Sequence, residues 1–323
     1  MTPARKAAVF AAAVSSFLLV MLVPVPAHAS ILGDFLGIDD WLKNLFKDGA
    51  NACFEGYFGM IQMCTTDNLI TGSFDALFGS SQPYQIIEGV HQSVLIPLGE
   101  SILALVMLVQ VVKISQRIDA NGTMPAVKEI VFLAVFYVIF HWLIVNSLDL
   151  CAAVFDTANN VTKAFGDPGA FNLGQAPTVS DDVVEQATVT DMLMMLISAA
   201  LTWLAGLAAV ILTWVVAGAR ALQLYAFAVF SPIPFALLGF EETRSFGVSF
   251  CKNFIAVALA GAIIVFLLMI FPGIIASVVA TDGVSASTGG IVNIGVIKTI
   301  AFSFLFVLGL VKSGAWAREI MGG

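Results

Sequence analysis

The chain has 323 residues, of which 59% are hydrophobic and 11% are charged, and its mean hydropathy is +0.96. A soluble domain carries roughly 25% charged residues, so this composition excludes an ordinary soluble enzyme and indicates a polytopic membrane protein. The net charge of −8 argues against a nucleic-acid-binding surface, which would be basic.

Residues 1–29 have the pattern of a signal peptide. Arg5 and Lys6 precede an apolar stretch, and the sequence AHA at 27–29 puts small residues at the two positions that a signal peptidase reads. An uncleaved signal anchor is the alternative. With either outcome, the chain from residue 30 onward starts outside the cell membrane.

Residues 30–93 are predicted to form an extracellular N-terminal region. Apolar residues recur along 31–47 with the period of one helix face, which predicts an amphipathic helix that lies on the membrane or packs on its own domain. Cys53 and Cys64 form an even pair in this region. The pair is compatible with a disulfide, and two unpaired thiols are the alternative.

The rest of the chain alternates apolar and polar segments, and a span needs about 20 apolar residues. The first two predicted spans, 94–112 and 128–148, are followed by an acidic extracellular loop at 149–191. Residues 192–311 form the remaining transmembrane core, and residues 312–323 form a cytoplasmic tail. The pattern therefore predicts an all-α polytopic membrane protein.

Two prolines interrupt the third apolar block, in the sequence SPIP at 231–234, where a helix would lose backbone donors. One interpretation has five crossings, with a span at 192–217 and then a re-entrant or in-plane helix; the other has six. With five crossings the inside segments carry eight basic residues and the outside segments three, whereas with six the counts are four and seven. The positive-inside rule therefore favours five crossings, with the mature N-terminus outside and the C-terminus in the cytoplasm.

Few polar residues inside the spans are candidates for chemistry. Glu100 and Lys298 both fall in the outer half of a span and are expected to form a buried pair or to extend toward the interface; His141 lies on the second span. The sequence has no metal-ligand spacing, no Gly-rich phosphate loop and no nucleophile elbow. We therefore predict neither an enzyme nor a cofactor site.

One run of residues combines an arginine entering a helix, an aromatic residue, a Pro-x-Pro break, an acidic–basic turn and a Lys-Asn pair. Its members are Arg220, Tyr225, Ser231, Pro232, Pro234, Glu241, Glu242, Arg244, Lys252 and Asn253. In order and spacing this run resembles the TrbL-type membrane proteins of conjugative type IV secretion systems, particularly those of Gram-positive integrative elements. The closing segment 312–323 is also similar, whereas the stretch before residue 93 shows no resemblance.

The resemblance implies a channel or scaffold subunit in the cell membrane. Such a subunit works with cytoplasmic ATPases, a coupling protein and other secretion subunits to move single-stranded DNA, with its bound relaxase, out of a donor cell. The resemblance also links the loop at 149–191 to substrate passage. Small residues at 204–210 and 258–264 allow close helix packing, within the chain or in a homo-oligomer. A small-solute transporter or ion channel with a broken-helix site is the alternative function, and a passive assembly anchor is a third.

The five-crossing topology leads to three further expectations. Arg220 should lie at the inner end of the third span, with its charge at the cytoplasmic interface. Lys252, at the start of the next span, should pair with Glu241 or Glu242 across the short turn. Cys151 and Cys251 should lie on opposite sides of the membrane, where they cannot pair.

Overall fold

The computed structural model describes residues 38–65, 67–121, 125–166, 176, 178–179, 181–282 and 294–322. Within these ranges the regular secondary structure is entirely helical, which confirms the all-α fold. The predicted signal peptide and the first seven residues of the predicted amphipathic helix lie outside the described residues.

The helices follow one another along the chain with few long connections. In order they are α1 (Ile38–Thr65), α2 (Asn68–Thr71), a 3₁₀ turn (Phe74–Ala76), α3 (Gln82–Val90), a π-helical turn (His91–Leu95), α4 (Ile96–Asn121), α5 (Pro125–Val145), α6 (Ser147–Gly166), α7 (Asp181–Gln186), α8 (Val189–Phe230), α9 (Pro232–Leu238), α10 (Arg244–Asp282) and α11 (Ile294–Ile320).

Five helical segments in the described part of the chain are long and apolar enough to cross a membrane, as predicted. They are Gln82–Gln116, Lys128–Val145, Val189–Phe230, Arg244–Val278 and Ile297–Ile320. α8 extends well beyond the predicted span at 192–217. The 42 residues of α8 correspond to about 63 Å at 1.5 Å per residue, twice the hydrocarbon thickness of roughly 30 Å.

The segment 149–191 was predicted to be a loop, and that prediction is wrong for its first half. α6 covers Ser147–Gly166 and buries an apolar face made of Leu148, Cys151, Phe155 and Ala158. These residues recur at intervals of three and four, as one face of a helix requires. The acidic side chains of Asp149 and Asp156 lie on the exposed side of α6.

The described residues pack into two compact units. The first takes its residues from 1–63, 172–211 and 268–309, and the second from 64–171, 212–267 and 310–323. In the first unit, α1 packs on α7 and the start of α8 through a core of Phe46, Ala50, Phe54, Val179, Val184, Ala187, Met192, Met195 and Ala199. The amphipathic pattern therefore continues past Lys47, where the predicted helix ended, to Thr65.

Polar contacts fix the ends of the elements in the first unit. The carboxylate of Asp181 pairs with Lys47 of α1, and the side-chain oxygen of Asn51 accepts a hydrogen bond of 2.8 Å from the Val179 N–H. α8 begins with a capping box: Thr188 and Asp191 bond reciprocally to each other's backbone N–H groups. Among the described residues, the start of this long helix is thus set by local chemistry.

The second unit contains two separate hydrophobic cores. The smaller one, here called the hairpin core because it lies between α4 and α5 and includes α9, contains Leu103, Ile144, Ala236 and Phe240. The larger one, here called the bundle core, joins the 3₁₀ turn, α6, α8 and α10. It contains Phe74, Leu77, Leu148, Cys151, Phe155, Ala158, Ala221, Leu224, Tyr225, Ala228, Phe254, Val257 and Ala258. The partly buried Phe235 packs against both cores.

The chain breaks at SPIP, as the two prolines predicted. α8 ends at Phe230, Pro232 opens α9, and a turn at 239–243 leads into α10. Pro232 has no N–H to donate to the Ala228 carbonyl, and the Ser231 hydroxyl donates to that carbonyl instead, at 2.7 Å. The predicted span had ended at residue 217, but α8 continues to the first position where a backbone donor is lost.

Candidate functional site

Arg220 is buried inside the second unit, so its charge does not extend to a surface as it was predicted to do. Its side chain is 5% exposed. Its Nε donates to the Val257 carbonyl at 2.9 Å and its Nη2 to the Ala258 carbonyl at 2.7 Å, both on α10. The Phe155 ring of α6 lies 5.6 Å from the guanidinium carbon, within cation–π range. Arg220 therefore connects α8 to both α6 and α10.

Gly261 makes room for this arginine. A Cβ atom at position 261 would overlap the guanidinium group of Arg220. The Nη1 atom of Arg220 has no hydrogen-bond partner within the described part of the chain, and no carboxylate there pairs with the side chain. A buried cation without an anion is costly, so the two carbonyls and the ring must hold it in place.

Tyr225 lies one turn and a half after Arg220 and fixes a segment that the sequence left without a role. Its hydroxyl donates to the Phe74 carbonyl at 2.8 Å, and the two rings meet edge to face at 5.4 Å. The side-chain amide of Asn159 on α6 donates to the carbonyls of Thr71 and Gly72 at 3.1 and 2.7 Å. Phe74 and Leu77 of this segment are therefore part of the bundle core, and hydrogen bonds attach the segment to α6 and α8.

His91 is a buried polar residue that the sequence reasoning missed. Its Nδ1 lies 3.1 Å from the Val229 carbonyl at the end of α8, so this nitrogen carries a proton and donates it. Its Nε2 lies 3.2 Å from the hydroxyl of Ser147, the first residue of α6. The signal in the sequence was a histidine at the entrance to an apolar span, beside no other charged residue. The ring joins three elements at the level of the SPIP break.

α9 packs closely on α4 and α5 at two glycines. A Cβ at Gly99 of α4 would lie 2.8 Å from the Pro232 Cβ, and one at Gly239 would lie 2.6 Å from the Phe140 ring of α5. Pro232 and Ala236 are fully enclosed. Broken backbone at membrane depth is tolerated where protein or water covers it, and protein covers this part of the break.

Comparison with known families adds to this geometry. Residues 77–232 match the family model described as TrbL/VirB6 plasmid conjugal transfer like protein. This segment is TrbL/VirB6-like. The resemblance given by the sequence is thus confirmed, and the family implies a conjugal transfer role related to type IV secretion, in a structural subunit that is not a known enzyme. No curated protein and no solved structure gives a significant match.

The TrbL/VirB6-like segment begins earlier than the sequence reasoning placed it. It starts at Leu77, in the bundle core, and includes the residues up to 93 that showed no resemblance. It ends at Pro232, so that Arg220, Tyr225 and Ser231 lie inside it and the motif residues from Pro234 to Asn253 lie beyond it. The family also implies association with other components of a conjugation machine.

The acidic–basic turn after the TrbL/VirB6-like segment makes a different ion pair from the one predicted. Glu242 pairs with Lys113 on α4, and not with Lys252. α10 begins at Arg244, so Lys252 lies eight residues into the helix, about 12 Å along its axis from the turn. Lys252 and its neighbour Asn253 are exposed, as are Glu241 and Arg244.

The intramembrane candidates are distributed over both units. Within the TrbL/VirB6-like segment, Glu100 of α4 and His141 of α5 lie 3.3 Å apart, with side-chain exposures of 41% and 46%. Lys298 lies on α11 in the first unit and is exposed. Glu100, for which Lys298 was the predicted partner, thus lies beside His141 on the neighbouring helix α5.

The predicted separation of Cys151 and Cys251 is wrong. Burial raises the pKa of the Cys151 thiol to about 12, the neighbouring Cys251 adds to the rise, and a hydrogen bond with Ser231 opposes it. These groups are therefore close in space. The physical reason is that α6 is not a loop outside the membrane but a helix that packs beside the SPIP break.

The predicted Cys53–Cys64 disulfide is also absent. Both cysteines are free thiols on the continuous helix α1, eleven residues apart. That separation is about 16 Å along the axis, whereas the Cα atoms of a disulfide lie within about 7 Å. Two cysteines in one region can pair only if the backbone brings them together, and here a continuous helix keeps them apart.

We expect all four cysteines to be alkylated in denatured protein without prior reduction, as intact mass would show. In the folded protein, burial raises the pKa of the Cys64 thiol to about 11 and that of Cys151 to about 12, so both stay protonated at neutral pH. Their alkylation should be slow at pH 7 and accelerate as the pH approaches these values, since the thiolate is the reactive form. If the mass showed only two alkylated cysteines without reductant, the protein would contain a disulfide and this expectation would be wrong.

Proposed function

We propose that this protein is a channel or scaffold subunit of a conjugative type IV secretion machine in the cell membrane. It would help to move single-stranded DNA and its attached relaxase across that membrane. The observation that carries the proposal is the TrbL/VirB6 match over residues 77–232, which includes the first two spans, α6 and the whole of α8. Cytoplasmic ATPases and a coupling protein are the partners that such a subunit requires.

Deleting the gene in a donor strain should reduce DNA transfer to recipients to the background of a donor without a coupling protein. Complementation with the wild-type gene should restore transfer, and growth of the donor should not change. The assay counts transconjugants per donor cell. Normal transfer by the deletion strain would overturn the proposal.

The exposed acidic face of α6 suits a surface beside moving DNA. A conduit should not hold its cargo, because phosphate contacts with basic residues give strong, salt-sensitive retention. Asp149 and Asp156 present carboxylates that cannot make such contacts. In the complementation assay, the variant D149N/D156N should therefore transfer less DNA than the wild type while reaching the same protein level. Unchanged transfer by this variant would remove α6 from the proposed path.

A small-solute transporter or ion channel has one observation in its favour, the half-exposed Glu100–His141 pair on the α4–α5 hairpin. Ionisable residues at membrane depth commonly mark a pathway for ions or protons. The two functions separate in the deletion strain: a transporter would leave conjugation intact and would instead carry solute or protons in liposomes containing the purified protein.

We also propose that the mature N-terminus lies outside the cell and the C-terminus in the cytoplasm. When the buried Arg220 is left out of the count, the proposed inside segments still carry seven basic residues and the outside segments three. Ser245 at the start of α10 and Thr190 at the start of α8 are both exposed. The variant S245C should react with an impermeant maleimide only after permeabilisation, and T190C in intact cells, each above the background of the native cysteines. Labelling of S245C in intact cells would contradict this orientation.

A further inference from the structure

Along the described chain, every covalent connection between the two cores of the second unit passes through an interruption of the α-helical backbone. The connection from α3 into the hairpin is the π-helical turn at His91–Leu95, and the connection from α5 to α6 is a one-residue break at Asn146. α8 meets α9 at the break after Phe230, and α9 meets α10 through the turn at 239–243. No continuous α-helix carries the covalent chain from one core into the other.

Three of the four interruptions have a local chemical cause. Pro97 cannot donate to the Ser93 carbonyl, and the ladder shifts to the π pattern, with the Ile96 N–H donating to the His91 carbonyl. At the break after α5, the side-chain amide of Asn146 donates to the Trp142 carbonyl at 2.8 Å, and the Ser147 hydroxyl lies 2.8 Å from the Ile144 carbonyl. Pro232 causes the break after α8. These three interruptions are therefore built into the sequence and do not depend on distant packing.

His91 holds three of these interruptions side by side. It lies in the π-helical turn, contacts Val229 in the last turn of α8, and contacts Ser147 directly after the break at Asn146. The three interruptions therefore meet at one buried side chain. Residues at element ends that absorb such changes are the usual positions of hinges.

The body made of α4, α5 and α9 has the smaller core, with four buried residues against thirteen in the bundle core. Outside the interruptions, it meets the bundle through α9. Phe235 packs against the bundle core, with its ring 6.0 Å from that of Phe250, and a Cβ at Gly247 would lie 2.6 Å from the Leu238 side chain. Bending at the interruptions would open these contacts of α9 and leave the thirteen residues of the bundle core packed on one another.

We propose that α4, α5 and α9 pivot as one body on the bundle core, about the π-helical turn, the break at Asn146 and the SPIP break, which meet at His91. His91 is the polar contact that keeps the pivot closed, and the Gly247 contact with α9 is the surface that separates when it opens. This inference concerns a motion of the protein and does not depend on what the protein transports.

The test measures distances in full-length protein in lipid nanodiscs by double electron–electron resonance. Nitroxides attached to an introduced keto amino acid leave the four native cysteines in place. The hinge pair is Val138 on α5 with Thr157 on α6, and the control pair within the bundle is Thr157 with Leu222 on α8; all three side chains are exposed. We expect the hinge pair to give a distribution at least about twice as wide as the control pair, since hinge motions displace whole bodies.

Two variants should shift the hinge pair alone. H91F removes both polar contacts of the ring, and G247A places a methyl group against α9. Each should increase the longer-distance population of the hinge pair and leave the control pair unchanged. G218A is the matched control, because a Cβ at Gly218 of α8 would meet nothing within 4 Å. Hinge and control pairs of equal width, in the wild type and in both variants, would overturn the proposal.

Discussion

The substitution Gly261→Ala is expected to destabilise the protein by about 2–4 kcal/mol. Its methyl group would occupy the position of the Arg220 guanidinium. Overpacking a buried site costs about 1–3 kcal/mol, and each lost hydrogen bond to a charged group about 1.5–3 kcal/mol, with partial relaxation reducing the sum. Thermal unfolding in detergent, followed by intrinsic fluorescence, should show a midpoint lower by roughly 3–6 °C.

A double-mutant cycle separates this mechanism from a general intolerance of α10 to change. In the background of Arg220→Ala, the space is free, and Gly261→Ala should cost less than about 0.5 kcal/mol. Gly273→Ala on the same helix is the matched control, because a Cβ there meets nothing within 4 Å and alanine favours the helix. Equal costs of Gly261→Ala with and without Arg220 would show that the arginine is not what the glycine accommodates.

The double substitution Gly99→Ala and Gly239→Ala is expected to reduce DNA transfer at least about tenfold at normal protein level. The two methyl groups would push α9 away from α4 at Pro232 and from α5 at Phe140. Each overpacking costs about 1–3 kcal/mol, and a tenfold change in population needs only about 1.4 kcal/mol. Transconjugants per donor and the amount of membrane-inserted protein are measured together.

The matched control is the double substitution Gly89→Ala and Gly218→Ala. Both glycines are helical, and a Cβ at either would meet nothing within 4 Å. This control should transfer DNA at the wild-type frequency. If both double variants transfer DNA normally, the close packing of α9 on α4 and α5 has no part in transfer. If the control variant also fails to transfer DNA, the loss of glycines in general is responsible and not this packing.

The fold features that could be predicted from the sequence are those with local causes. The number of spans follows from runs of apolar residues, and the break follows from the missing N–H groups of Pro232 and Pro234. The helix at 147–166 also had a local signal, the apolar residues at 148, 151, 155 and 158. The acidic residues between them indicated a polar loop, although the apolar residues already had the period of a helix.

The candidate site depended on contacts that are distant in sequence. Arg220 was correctly chosen as a residue of interest, but its burial depends on Gly261, and nothing in a helical period shows which side chain a glycine faces. Likewise, the environment of His91 is formed by Val229 and Ser147, which belong to other helices. Counting basic residues treats each one as exposed, whereas Arg220 is enclosed by its own chain.

The contact between Arg220 and Gly261 has an evolutionary consequence. A chain that keeps the arginine cannot accept a side chain at position 261, and a chain that loses the arginine is free to gain one. The two positions should therefore change together in related sequences, although only position 220 falls within the family segment that ends at Pro232. Substitutions at 261 without a smaller residue at 220 should be rare among functional descendants of this chain.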